Sequence, residues 1–170
     1  SPDNTVESLI LVECDRIVSP NDLQTLADDL NRVLADAHSA VKDWTVMLEL
    51  VQSVSKASEA APLSPASRQE GVDFLHWLQD KHFTFLGARD YDLKRDGDTV
   101  SLIARPGTGL GILRGTIQTT ETLLPPEAVN HLETDELMVV TKAMTRSTVH
   151  RPAWLDYIGV KRFGDKGEVV

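Results

Sequence analysis

The sequence predicts an α+β fold, a long N-terminal helix and a second helix followed by an antiparallel sheet, on three observations. Apolar residues recur in steps of three and four from Leu23 to Val51 with no Gly or Pro among them. The period then changes at Phe83, where alternation begins. Two alternating runs flank a polar Asp96-Gly97 turn with no helix between them, which makes a hairpin and disfavours a parallel crossover.

The elements follow in order. Residues 8–13, Ser-Leu-Ile-Leu-Val-Glu, are a short apolar run with β-branched members and read as a buried strand. Its partners are expected upstream or in another copy of the chain. Ser19-Pro20-Asn21-Asp22 has an N-cap serine, a proline at the first helical position and an acid in the first turn. It opens one amphipathic helix over about 20–57, roughly 55 Å long. Leu23, Leu26, Leu30, Val33 and Ala37 follow a heptad seam. That seam fits a connecting helix covered by neighbouring domains, and it fits an oligomer-forming helix. Ala60-Ala61-Pro62-Leu63 is a linker, and Ser64-Pro65 caps a second helix running to about Lys81. Its stripe is Val72, Leu75 and Leu78 with Phe74 and Trp77, while His76 faces water.

Phe83 to Leu93 and Thr99 to Ala104 form the hairpin. A short strand is expected at 111–118 and a short helix at 126–132, opened by Pro125-Pro126-Glu127. Strands at 137–143 and 156–163 come next, and Gly164-Asp165-Lys166-Gly167 turns into a last one. This order favours a PAS-like sheet over a ferredoxin-like one. The expected organisation is therefore 1–19 as the end of a preceding module, 20–64 as a connecting helix and linker, and 65–170 as a PAS-like domain. The chain opens on Ser1 rather than Met and stops inside an expected strand, so both ends are expected to be cut points in a longer protein.

Hydrophobic residues make up 41% of the 170, enough for a sizeable core. The net charge of −9 is uneven: residues 1–64 hold 4 basic and 11 acidic residues, and 142–162 hold five basic residues against Asp156. A nucleic-acid-binding domain needs a broad basic face, so none is expected. No apolar run reaches the ~20 residues of a membrane span, so no membrane partner is expected. The single cysteine, Cys14, precludes an internal disulfide and fits a cytoplasmic location; at the end of an apolar strand it is expected to be a buried, inert thiol.

No catalytic, cofactor-binding or metal-ligating set emerges. Gly107-Thr108-Gly109-Leu110-Gly111 lacks the spacing and the following helix of a dinucleotide fingerprint, and reads as a flexible connection needing positive φ. The five histidines are scattered, without metal-ligand spacing. One segment is dense in cations and hydroxyls: Lys142, Arg146, His150 and Arg151, with Lys161 beyond. These residues fit a small-anion site, an interdomain or intersubunit contact, or a solvated loop.

Phe74-Leu75-His76-Trp77-Leu78, His82-Phe83-Thr84-Phe85-Leu86-Gly87, Gly109-Leu110-Gly111-Ile112-Leu113-Arg114, and above all Arg146-Ser147-Thr148-Val149-His150-Arg151-Pro152 with Leu155 to Phe163 resemble the N-terminal regulatory region of large bacterial NAD-specific glutamate dehydrogenases. The resemblance covers most of 8–170; Ala88 stands where that family's pattern has an aromatic. It implies ACT-like and PAS-like modules, with 8–13 and its helix closing the former. It also implies a parent enzyme that oxidatively deaminates L-glutamate to 2-oxoglutarate with NAD. The residues for that reaction lie in a domain absent here, so none carries over and this fragment alone is expected to be inactive, with no cofactor of its own. The expected role is regulatory or assembly; a small-molecule sensor of an amino acid or anion is the alternative. Expected partners are the remaining domains of the parent chain and further copies in a homo-oligomer.

Overall fold

A computed structural model describes residues 9–97, 99–115, 121–123, 126–149 and 153–170. The fold is α+β, with helices early in the chain and small antiparallel sheets after them. Two compact units divide within the first helix: Ser1–Arg32 and Val33–Val170.

In the first unit, residues 9–19 carry no regular secondary structure, and Leu9, Ile10, Leu11 and Val12 are exposed. The expected buried strand is thus not formed over 9–13. A strand exists only through ladder hydrogen bonds to a neighbour, and no described strand pairs with this run. Cys14, expected to be buried, is exposed for the same reason. Helix α1 spans Pro20–Lys42. Ser19 caps it, its carbonyl accepting from the Leu23 amide at 3.1 Å and its hydroxyl from the Asp22 amide at 3.4 Å.

The expected single helix over 20–57 is two. Helix α2, Trp44–Ser58, follows α1 after one residue, Asp43, at φ −96° and ψ 3°. The ladder is kept across the joint: the Asp43 amide donates to Ser39 O at 3.1 Å, and the Met47 amide to Asp43 O at 2.9 Å. At this joint the Asp43 carboxylate is engaged by donors from Gly111 and Arg114.

Helix α3, Pro65–Trp77, begins as its sequence dictates, with Pro65 first and Ser64 Oγ accepting from the Ser67 amide at 3.3 Å. A second cap arrives from far along the chain. Asp135 accepts from the Ser64 amide at 2.9 Å and from Ser67 Oγ at 2.8 Å, and these bonds, Ser64 foremost, hold its carboxyl below its ordinary value. The helix then widens into a single π-helical turn at Leu78–His82 rather than running on in α form. His82 stacks on the Trp77 ring, centroids 5.0 Å apart. His76 is exposed, as its place off the stripe requires.

Among the described residues the expected antiparallel strands fall into three small sheets. The long strand from Phe83 is two short ones, β1 at Gly87–Ala88 and β2 at Tyr91–Asp96. Between them Asp90 turns its amide to Thr108 Oγ1 at 3.2 Å instead of to a ladder. Strand β3, Thr99–Ala104, pairs with β2 in the expected hairpin, from Tyr91↔Ala104 to Asp96↔Thr99. Where a strand is expected at 111–118, the described residues form β4, Leu110–Gly111, opposite β1. Residues 112–115 are a turn, and 116–118 lie outside the described residues. An unforeseen strand β5, Glu121–Leu123, adds to β3. Helix α4, Pro126–Glu133, precedes the third sheet, β6 (Met138–Arg146) against β7 (Trp154–Val160), with an irregularity between Lys142 and Arg146. The last expected strand is a single bridge, Phe163↔Val169.

The core lies in the second unit, where Met47 of α2 meets Leu75 and Leu78, Ala61, Phe85 and Leu137. Each of the larger side chains, Ala61 aside, contributes about 1.5–3 kcal/mol through burial. Trp44, Phe83, Ile158 and Phe163 close around it. Gly71 is where α3 comes nearest the start of the β6 segment, for a Cβ there would lie 2.5 Å from Leu137 Cδ2.

Candidate functional site

Of the cations singled out in the sequence, the described ones, Lys142, Arg146 and Lys161, are not brought together. Lys142 and Asp156 are register partners on β6 and β7, and their side chains form an ion pair. Arg146 lies over the ring of Trp154, its cross-strand partner, 5.2 Å from the centroid. Lys161 is buried, with Nζ donating to Thr134 O at 2.9 Å. Burial lowers its pKa, against the opposing pull of Glu136 and Asp135. Eight positions of β6 separate Met138, which faces Val160, from Arg146. At about 3.3 Å per residue, Lys161 and Arg146 stand roughly 25 Å apart, too far to grip one small anion. His150 and Arg151 lie outside the described residues. Nearby, Thr148 Oγ1 donates to Asp36 Oδ2 of α1 at 2.6 Å.

A closely engaged polar group is one that sequence reasoning passed over. Asp43 sits at the α1–α2 joint on the stripe Ala40–Asp43–Met47, and all three are buried. Its carboxylate accepts from the Gly111 amide at 2.8 Å and from Arg114 Nε at 2.8 Å, and Arg114 Nη2 completes a side-on, two-point contact. The Asp43 side chain is 3% exposed and that of Arg114 48%. Hydrogen bonds from Arg114 and then Gly111 hold the carboxyl below its ordinary value of 3.8, outweighing desolvation. An acid on the buried stripe of an amphipathic helix was the signal available, because such a carboxylate must find donors.

The glycine run supplies them. Gly107 and Gly111 have φ of +77° and +58°, as the expected need for positive φ requires. At Gly109 and Gly111 the run is nonetheless packed rather than loose. A Cβ on Gly109 would lie 2.3 Å from Leu113 O, and one on Gly111 2.1 Å from Leu86 O. Glycine here lets the loop close on β1 and present the Gly111 amide to Asp43.

Beside this contact, Val46, Leu50 and Leu110 floor an open cleft of about 390 Å³, with Glu49, Ser53, Asp90 and Thr108 around it. Asp90 faces Arg162 Nη1 at 3.4 Å. Among the described residues no group of three or more His, Cys, Asp or Glu is placed to hold a metal ion. None of their helices is long and apolar enough to cross a membrane.

No protein-family model matches the chain, and no solved structure does. Two relatives align with nearly all of it. The NAD-specific glutamate dehydrogenase of Halomonas elongata is 31% identical over 171 residues, covering 96% of this chain and 11% of the relative. That of Pseudomonas aeruginosa is 30% identical over 175 residues, covering 99% of this chain and again 11% of the relative. The chain therefore spans about one-ninth of the length of these relatives and is similar to one segment of much larger enzymes.

Proposed function

We propose that this chain is a non-catalytic regulatory or assembly module from the N-terminal region of a large NAD-dependent glutamate dehydrogenase. The observation that carries the reading is alignment of 96–99% of the chain with only 11% of each relative. The segment is a small share of each relative, and it brings no G-x-G-x-x-G turn. NAD and the oxidative deamination of L-glutamate then belong to the remainder of the parent. That remainder and further copies of the parent are this module's partners.

The surface fits such a role. Leu23, Leu30, Leu34 and Val41 of α1 are 49–77% exposed, a stripe that a connecting or assembling helix covers with a neighbour. Trp154 on β7, with Arg146 over its ring, offers the residue types that anchor protein contacts. The isolated chain is expected to produce no NADH from L-glutamate and NAD; glutamate-dependent production would sink the reading.

A second reading, a small-molecule sensor, draws on the open cleft beside α2. Saturable binding adds stability as RT ln(1 + [L]/Kd), so a thermal-shift screen of amino acids, keto acids and nucleotides decides it. Uniform absence of a shift would remove it.

A further inference from the structure

We propose that the Gly109–Arg114 loop is a carboxylate-binding site which the chain fills with its own Asp43, so that the α1–α2 joint is held by a releasable latch. The donor set has the chemistry of a carboxylate receptor. The Arg114 guanidinium meets both oxygens side-on, and the Gly111 amide adds a third bond to Oδ2. The backbone is shaped for that purpose, since only glycine fits at 109 and 111 without striking Leu113 O or Leu86 O. The occupant comes from 68 and 71 residues away, so it behaves as a tethered ligand rather than part of the loop. Its tether is the joint itself, and Asp43 leaves helical geometry at φ −96°, ψ 3° to reach the loop.

The site is also open to exchange. The Asp43 carboxylate faces inward, 3% exposed, while the Arg114 side chain is 48% exposed, so the receptor can be approached from solvent on its arginine side. Asp43 holds the site against free carboxylates through the high effective concentration of an intramolecular partner. Once Asp43 is removed, the receptor is left with unpaired donors and takes a small carboxylate in its place. Beside the loop, Leu110 also lines the cleft against α2, so latch and cleft share a wall.

The test is chemical rescue with formate, against chloride at matched ionic strength. Asp43→Ala is expected to melt below the wild type and to recover with a saturable dependence on formate. Neither the wild type nor Asp43→Ala/Arg114→Gln should show that dependence. Amide exchange locates the effect: Gly111 loses protection in Asp43→Ala and regains it about ten-fold at a formate concentration ten times Kd. If Asp43→Ala is unfolded in chloride, refolding by formate is the same rescue, and Asp43→Ser is measured alongside it. No formate-specific response in either variant, or an equal response when Arg114 is also replaced, overturns the proposal.

Discussion

Replacing Gly111 by alanine tests whether the glycine loop is a built receptor or a slack connection, because Gly107, four residues away, is a matched control. Both have positive φ, +77° at Gly107 and +58° at Gly111. Alanine in that region costs roughly 1–2 kcal/mol at either site. Both variants also shed the same unfolded-state entropy, which cancels in the comparison. At Gly107 a new Cβ meets nothing within 4 Å. At Gly111 it would lie 2.1 Å from Leu86 O, 2.9 Å from Leu86 C and 3.0 Å from Gly87 Cα. These are backbone atoms, which cannot rotate aside. Relief requires the loop to withdraw from β1, which overpacks or strains the site by about 1–3 kcal/mol. It also breaks the bond from the Ile112 amide to Leu86 O, now 2.8 Å, worth ~1 kcal/mol. Gly111→Ala should therefore lose about 3–6 kcal/mol and Gly107→Ala about 1–2. In a chain of this size that gap lowers Tm by roughly 4–15 °C relative to the control. Urea and thermal unfolding of the pair measure it. Equal stabilities, within about 1 kcal/mol, would refute the packed-receptor account.

Three further outcomes follow from the same contacts. Met47→Ala, at 0% exposure in the core, should cost about 2–5 kcal/mol in urea unfolding. Asp43, Asp92 and Asp135 all have carboxyl pKa values below the ordinary 3.8, through Arg114, Arg105 and Ser64 respectively. A depressed folded pKa stabilises fully above the unfolded value and is lost as pH falls through the folded one. Stability should thus decline below about pH 4, and Asp43→Asn should flatten that acid limb while lowering stability at neutral pH. Leu30→Glu, on the exposed stripe of α1 at 52%, should leave the melting of this chain unchanged within about 0.5 kcal/mol. A larger loss would mean that the stripe is already covered within the chain.

What could be read from the sequence was what neighbouring residues decide. Ser64-Pro65 starts a helix through contacts three residues apart, and Asp96-Gly97 turns a hairpin. Pro126 opens α4 where expected. What could not be read depended on distant partners. The joint at Asp43 is set by donors 68 and 71 residues on, and nothing in the steps Val41, Trp44, Leu48 betrays it. Residues 9–13 have strand chemistry but no ladder among the described residues. Strand geometry likewise decided the fate of the candidate cations: Lys142, Arg146 and Lys161 are near in sequence, yet two are spaced along β6 and the third is buried near Thr134. The residues that do converge, Asp43, Gly111 and Arg114, were visible only as an acid on a buried stripe and as part of a glycine motif.

The proposed role of this chain is in the assembly or regulation of a larger dehydrogenase, without performing its chemistry. Its most direct test is to delete the matching segment from a full-length relative and measure subunit mass by light scattering together with the response of glutamate oxidation to effectors. A changed oligomeric mass or a changed effector response is expected. Wild-type mass and wild-type response in the deleted enzyme would contradict it.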